Sequence, residues 1–155
     1  MANRYFIELS FKGTAYHGWQ IQPNATAVQQ LVDDTFSTFM REKIETVGAG
    51  RTDAGVHAKY FVAHFDSQQE GLHLDDNFLR KANLMLPKDI SIHSILKMHD
   101  DAHARFDALS RRYEYHISME KDPFRLDYAY YLHEMPDIEL MNKGADIINK
   151  TLDFT

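Results

Sequence analysis

Hydrophobic periodicity over the first hundred residues most restricts the fold of this 155-residue chain. Side chains alternate between apolar and polar positions in residues 4–12, which predicts a half-buried strand. A helical spacing follows, and strand and helix patterns then succeed each other to residue 97. The predicted elements are a strand in 4–12, a helix in 28–40, strands near 44–47 and 59–66, a helix ending before Pro87, and a strand in 90–95.

This β-α-β-β-α-β order is that of the split βαβ, ferredoxin-like arrangement, an α+β fold with an antiparallel sheet and two helices on one face. We assign residues 1–100 to this first domain. Two helix starts carry capping signals: Thr26 with Gln29 resembles a capping box, and Asp75 or Asp76 precedes the second helix.

Residues 101–155 continue with further elements. The alternation in 109–119 predicts a long strand, for which residues 128–132 are a possible partner. Asp137 is placed to cap a last helix.

Composition excludes several classes of function. The chain has no cysteine, which rules out disulfides, thiolate chemistry and cysteine-ligated metal sites and agrees with a reducing cytosol. No apolar run approaches the roughly 18 residues of a membrane span. The formal net charge is −6, so any nucleic-acid site has to be a local basic patch.

The segment from Gly50 to His57 is the first candidate for chemistry, because Asp53 and Arg51 lie between glycines in a connection between strands. Glycines allow a ligand to approach the backbone closely. A neighbouring arginine favours an ionised aspartate and can bind phosphate or stack on a base. An ordinary turn is the alternative, since Asp and Gly are common turn residues.

Two further segments have nucleic-acid-binding character. In Arg111–Tyr115, alternation places Arg111, Tyr113 and Tyr115 on one strand face, where rings can stack on bases and arginine can bind phosphate. A solvated strand face is the alternative. The loop from Gly13 to Gln22 contains the single Trp19, which can contact RNA or, as we favour slightly, fill the core.

The histidines raise the question of a metal. His99 and His103 flank two aspartates, but no third ligand is fixed by spacing, and catalytic zinc usually has three protein ligands. Structural or RNA-contacting imidazoles are the favoured interpretation. Sequence motifs for nucleotide hydrolysis, hydride transfer and serine hydrolysis are absent.

Taken together, these segments resemble the TruA family of tRNA pseudouridine synthases over essentially the whole chain. The resemblance is carried by Tyr16–Gln22, Gly50–His57 within the highly specific GRTDAGVHA stretch, His64-Phe65, Asn83–Ile90, His103–Ala108, Arg111–Tyr115 and Asp153–Thr155.

The resemblance implies an enzyme that isomerises uridine to pseudouridine in the anticodon stem-loop of tRNA, at positions 38 to 40. Neither a redox change nor a group donor is involved, so no cofactor and no metal are expected. Asp53 matches the catalytic aspartate, as nucleophile or as base at the sugar. Tyr113 matches the tyrosine that stacks on the target base, and Arg51 the arginine linked to moving that nucleotide out of its stack.

Other residues and the organisation of the chain follow less directly. Arg105, Arg111, Arg112 and His57 are further substrate-binding candidates. Family members are longer, so residues 101–155 are expected to lead into a second, similar half that is absent here. That half would supply a basic residue to the site, and the chain alone is expected to be inactive. A homodimeric, cytoplasmic enzyme without a membrane segment is expected.

Two rival functions remain open on the sequence. A non-catalytic RNA-binding module could use the same sheet as an RNA-recognition motif, although the RNP1 signature is absent. A histidine-bound metalloenzyme is the third possibility.

Overall fold

The computed structural model describes residues 2–153. They divide into two compact units, and the division lies between Arg111 and Arg112. The first unit contains four strands, β1 (Asn3–Phe11), β2 (Val47–Gly48), β3 (Ala58–Ser67) and β4 (Ile90–Lys97). Its helices are α1 (Val28–Met40) and α2 (Asp76–Met85). The predicted βαββαβ order is therefore confirmed.

The sheet has the strand order β2-β3-β1-β4, and every neighbouring pair is antiparallel. The connection from β2 to β3 thus lies at one edge of the sheet, because β2 is the edge strand. This α+β architecture is the ferredoxin-like one expected from the sequence.

Alternation along β1 explains how the sheet covers its core. Tyr5, Ile7 and Leu9 are completely buried, whereas the residues between them are less so. The helices cover these positions with aromatic rings: Phe36 of α1 contacts Phe65 of β3 and Phe78 of α2, with ring centroids 5.2 and 5.5 Å apart. Burial of such large rings provides much of the hydrophobic stabilisation.

The two predicted helix caps have different outcomes. Asp75 caps α2, and its Oδ1 accepts hydrogen bonds from the backbone N–H groups of Asn77 and Phe78 at 3.0 and 3.1 Å. The capping box at Thr26 and Gln29 is wrong, because Ala27 occupies the N-cap position without a side-chain bond.

Backbone carbonyls replace that capping box. The Val28 and Gln29 N–H groups at the start of α1 donate to the carbonyls of Gly18 and Trp19, at 3.2 and 2.9 Å. The Gln29 side chain instead bonds to the Ile21 N–H and the Thr46 carbonyl. The helix start is therefore joined directly to the preceding loop.

The second unit has little regular structure before its helix. The long strand predicted in 109–119 is wrong, since only β5 (Ile117–Ser118) forms there and pairs in parallel with β6 (Tyr130–Tyr131). The predicted pairing is thus limited to two residues, and residues 109–116 belong to no ladder. Alternation alone cannot make a strand without a partner for the backbone groups.

The last helix is confirmed as α3 (Ile138–Lys150), with Asp137 at its N-cap accepting from the Leu140 N–H at 2.9 Å. None of its residues is buried, and its apolar side chains, Ile148 among them, are exposed. Across residues 2–153, no helix has the length and hydrophobicity needed to cross a membrane.

Candidate functional site

The connection between β2 and β3, residues 49–57, presents Asp53 at the surface of the first unit. We call this connection the Asp53 loop. Its turn is closed by a hydrogen bond from the Val56 N–H to the Asp53 carbonyl, at 3.2 Å. Gly55 within the turn has φ +80°, a conformation that favours glycine. The Asp53 side chain is exposed to solvent.

Residues 13–19, between β1 and α1, brace the Asp53 loop through three hydrogen bonds. The Gly55 N–H donates to the Tyr16 carbonyl at 3.1 Å. The Trp19 N–H donates to Oγ1 of Thr52 at 2.9 Å, next to Asp53. The third bond runs from the Gly13 N–H to Nδ1 of His57, at 3.0 Å. The two glycine-bounded segments singled out in the sequence therefore form one structure.

Close backbone approach explains two of the glycines in this brace. A Cβ atom on Gly18, which has φ +82°, would lie 2.0 Å from the Thr52 carbonyl oxygen. A Cβ on Gly13 would lie equally close to the Val56 oxygen. Any side chain at either position would push the Asp53 loop away.

Trp19 fills the core, as favoured from the sequence. It is 2 % exposed, and its ring centroid lies 4.5 Å from that of Phe61. Tyr16 is also buried, and its hydroxyl donates to Oδ1 of Asp89. Burial and the neighbouring Asp89 carboxylate raise the pKa of this hydroxyl. The brace is thus anchored in the hydrophobic core and does not depend on the loop alone.

The same packing bears on the RNA-binding-module hypothesis. Phe61 and Phe65 of β3 point into the core beneath the helices and are 9 % and 1 % exposed. These rings are not available for stacking on bases, as a sheet-based RNA platform requires.

Residues 99–111, which we call the strap, are held against the sheet face opposite the helices. Arg4 of β1 donates from Nη1 to the Ala102 carbonyl at 2.8 Å and forms a two-point ion pair with Asp66 of β3. The Ala104 N–H donates to Nδ1 of His64 at 3.1 Å. These contacts hold the strap, which is distant in sequence, against β1 and β3, and β3 directly follows the Asp53 loop.

His64 is an acceptor because its imidazole is neutral. Burial, followed by the nearby Arg4 and His103, lowers the pKa of His64 from 6.5 to about 4. Its Nδ1 therefore keeps a lone pair for the strap near neutral pH. The sequence pattern does not indicate this role, because alternation in β3 places His64 on the face away from the core, where the strap and the Phe6 ring cover it.

The strap, which belongs to the first unit, contains the candidate residues Arg105 and Arg111. The exposed Arg105 guanidinium lies 5.9 Å from the centroid of the Phe106 ring. Arg111 donates to the Ala49 carbonyl from Nε and Nη2, at 2.9 and 2.5 Å, and to the Arg105 carbonyl from Nη2, at 2.7 Å. Arg111, the last residue of the strap, is thus bonded to Ala49, the first residue of the Asp53 loop, which we call the stem of that loop.

The remaining sequence-predicted residues are distributed between the units. Arg51 is exposed two positions before Asp53, and His57 is half-buried at the end of the same loop. Tyr113 and Arg112 belong to the second unit. Tyr113 is 60 % exposed, and Arg112 forms an ion pair with Glu114 at 3.1 Å.

The histidines of the segment 99–103 contact residues two positions away in the sequence. Nδ1 of His99 lies 2.6 Å from Oδ1 of Asp101, and Nδ1 of His103 accepts from the Arg105 N–H. Within residues 2–153, no three His, Cys, Asp or Glu side chains are grouped so that they could hold a metal ion.

The geometry assigns a definite chemical capacity to this site. A solvent-accessible carboxylate stands on a loop that is hydrogen-bonded to residues 13–19 on one side and to Arg111 on the other, two positions after the exposed Arg51. A carboxylate held in this way can act as a nucleophile or as a base toward a bound substrate.

Comparison with known proteins identifies close relatives of the chain, although no protein-family model matches it. It is 47 % identical over 152 residues to tRNA pseudouridine synthase A of Bacteroides fragilis, covering 98 % of this chain and 60 % of that protein. The enzyme of the same name from Bacteroides thetaiotaomicron is 47 % identical over 153 residues, covering 98 % and 56 %. That of Chlamydia felis is 36 % identical over 154 residues, covering 97 % and 58 %. The chain thus spans about 60 % or less of the length of these relatives.

Proposed function

We propose that this chain, which belongs to the TruA family of tRNA pseudouridine synthases, supplies the catalytic aspartate of an enzyme that isomerises uridine in tRNA. The observation that carries the proposal is Asp53, a surface carboxylate on a doubly braced loop, within a chain 47 % identical to a named tRNA pseudouridine synthase A. The names of the relatives support an enzyme, in preference to a non-catalytic RNA-binding module.

The reaction is an isomerisation, so the product nucleotide has the same elemental composition as the substrate nucleotide. The bond from N1 of uracil to C1′ breaks, the base turns, and a new bond forms from C5 to C1′. The hydrogen on C5 is lost and N1 gains one, so there is no net oxidation or reduction. Asp53 acts at the sugar, as nucleophile on C1′ or as base, and the chemistry calls for no electron carrier.

The proposed substrate is the anticodon stem-loop of tRNA, with uridines at positions 38 to 40 as targets. A stacked base cannot expose both C1′ and C5, so the nucleotide has to leave its stack at a cost of a few kcal/mol. Arg51, two residues from Asp53, assists this displacement, and Tyr113 stacks on the extruded base. Arg105, Arg112 and His57 complete the proposed RNA-contacting residues.

We further propose that the site is completed by residues beyond this chain. A second half, similar in build, would add the opposite wall and a basic residue, and a homodimer would extend the tRNA surface. This arrangement accounts for the net charge of −6, because the basic surface for RNA is then local. The absence of cysteine agrees with a cytoplasmic enzyme.

A chimaera tests the proposal. In it, this chain replaces the segment that it matches in the Bacteroides fragilis relative. The substrate is tRNA carrying uridine tritiated at C5, which releases tritium to water when the new glycosidic bond forms. We expect tritium release, with pseudouridine mapped to positions 38 to 40. A soluble, folded chimaera that binds tRNA and releases no tritium would contradict the proposal.

A further inference from the structure

We infer that Arg111 is a positioning residue, whose guanidinium fixes the Asp53 loop through the carbonyl of Ala49. This inference rests on the proposed function, since it assigns Arg111 a part in presenting Asp53. It differs from the role expected from the sequence, which is contact of Arg111 with RNA.

The stem of the Asp53 loop is held from two directions at Ala49. Its N–H donates to the Val62 carbonyl of β3 at 2.7 Å, one residue past the end of β2. Its carbonyl accepts two bonds from Arg111. Because β2 contains only two residues, the sheet by itself gives this stem little support.

The position of the guanidinium is itself fixed. Nη2 of Arg111 also donates to the Arg105 carbonyl, in the part of the strap that follows the Ala104 contact with His64. A chain of contacts therefore leads from the buried His64, through the strap and Arg111, to the stem of the Asp53 loop.

Gly50 leaves the space that Arg111 needs. A Cβ atom built on Gly50 would lie 3.1 Å from Nε and 3.4 Å from Cδ of Arg111. No left-handed backbone angle requires glycine at this position, so the close approach of the arginine accounts for the absence of a side chain.

These bonds leave Arg111 poorly suited to phosphate. A guanidinium binds phosphate best through two parallel N–H groups. In Arg111, Nε and Nη2 both donate to the Ala49 carbonyl, and Nη2 also donates to the Arg105 carbonyl. Its effect on catalysis is therefore expected through the loop, where a displacement of about 1 Å can cost up to about 100-fold in rate.

Two substitutions in the chimaera separate positioning from RNA contact. Arg111→Lys keeps the charge and loses the two-point bond to Ala49, whereas Arg111→Met loses both. We expect both to lower kcat by about 10- to 100-fold, with KM and the salt dependence of tRNA binding unchanged. Loss of a phosphate contact would instead reduce the salt slope by about 1 in Arg111→Met and largely spare Arg111→Lys; that result would overturn the inference. Arg80→Met on α2 is the matched control, expected to leave kcat and the slope unchanged.

A second arm uses the 155-residue chain and does not require activity. We expect amide hydrogen exchange at Ala49 and Gly55 to become at least about tenfold faster in Arg111→Met, with no change in Arg80→Met. Unchanged exchange would contradict the inference. If the wild-type chimaera is inactive, the proposed function fails, and this arm still decides whether Arg111 fixes the loop.

Discussion

At the scale of single residues, His64 is a buried base whose neutrality holds the strap in place. Its pKa in the folded state, about 4, lies below the ordinary 6.5, so folding favours the neutral form. The resulting stability is fully present above pH 6.5 and is lost as the pH falls toward 4. The difference between these two pKa values corresponds to roughly 3 kcal/mol of stability at most.

We predict that the His64 imidazole titrates with a midpoint near pH 4. Site-specific NMR of the imidazole nitrogens is the suitable measurement. In a bulk stability curve, the titration of the buried Asp33 changes the stability with pH in the opposite direction and would mask that of His64. Burial raises the pKa of Asp33 to about 6, so its contribution falls as the pH rises through that value. A His64 midpoint near 6.5 would show that the strap leaves this ring accessible to water.

Tyr113 is predicted to act through its ring. Tyr113→Phe keeps the stacking surface and should retain most of the affinity of the chimaera for tRNA. Tyr113→Ala should lose about 1 to 3 kcal/mol of binding, which is the range for one base–aromatic stack. Filter binding at one fixed salt concentration measures both. Equal affinities of the two variants for tRNA would show that stacking is not what Tyr113 contributes to binding.

The sequence indicates Asp53 and Arg51 as candidate site residues because their residue types and their glycine neighbours are visible in one short segment. It does not identify Arg4, His64 or Asp33, whose roles depend on what covers them in space. Asp33 shows this well: it is buried in α1, and its Oδ1 accepts two hydrogen bonds from Thr46, which lies 13 positions further along the chain. Contacts between positions distant in sequence leave no local pattern.

At the scale of elements, the brace between residues 13–19 and the Asp53 loop depends on close backbone contact. We predict that Gly18→Ala destabilises the chain by about 3 kcal/mol. Part of this is the strain of a left-handed residue, about 1 kcal/mol or more, and the rest is the collision with the Thr52 carbonyl oxygen. Urea unfolding monitored by circular dichroism provides the measurement.

Gly55→Ala is the matched control for that experiment. Gly55 has nearly the same φ, +80°, but a Cβ there meets no atom within 4 Å. It should therefore cost only the strain, about 1 kcal/mol. Equal losses for Gly18→Ala and Gly55→Ala would mean that close approach to Thr52 contributes nothing.

Elements were predictable where the pattern and its partner were both present in the first unit. The alternation of β1 and the helical spacing of α1 correspond to buried faces that cover each other, and the sequence contains both. The cap of α1 and the stretch 109–119 were not predictable, since backbone carbonyls of a preceding loop provide the former. The latter lacks a neighbouring strand over most of its length.

At the scale of the whole molecule, the 155-residue chain should fold without catalysing. The first unit has its own core, so we predict a cooperative thermal transition. The apolar side chains of α3 are exposed, among them Ile147 and Ile148, which favours self-association. We expect species larger than a monomer in light scattering and no pseudouridine from the chain alone. Multiple turnover by the purified chain would show that its residues suffice for the site.

The most direct test of the central claim is tritium release by the chimaera carrying Asp53→Asn. Asparagine keeps the shape of the side chain but cannot act as a carboxylate nucleophile or base. We predict that turnover falls by at least about 1,000-fold, while tRNA affinity and the unfolding midpoint stay close to those of the wild-type chimaera. Asp34→Asn, on the exposed side of α1, is the matched control and should retain full activity. Near-normal tritium release by Asp53→Asn would contradict the assignment of Asp53 as the catalytic residue.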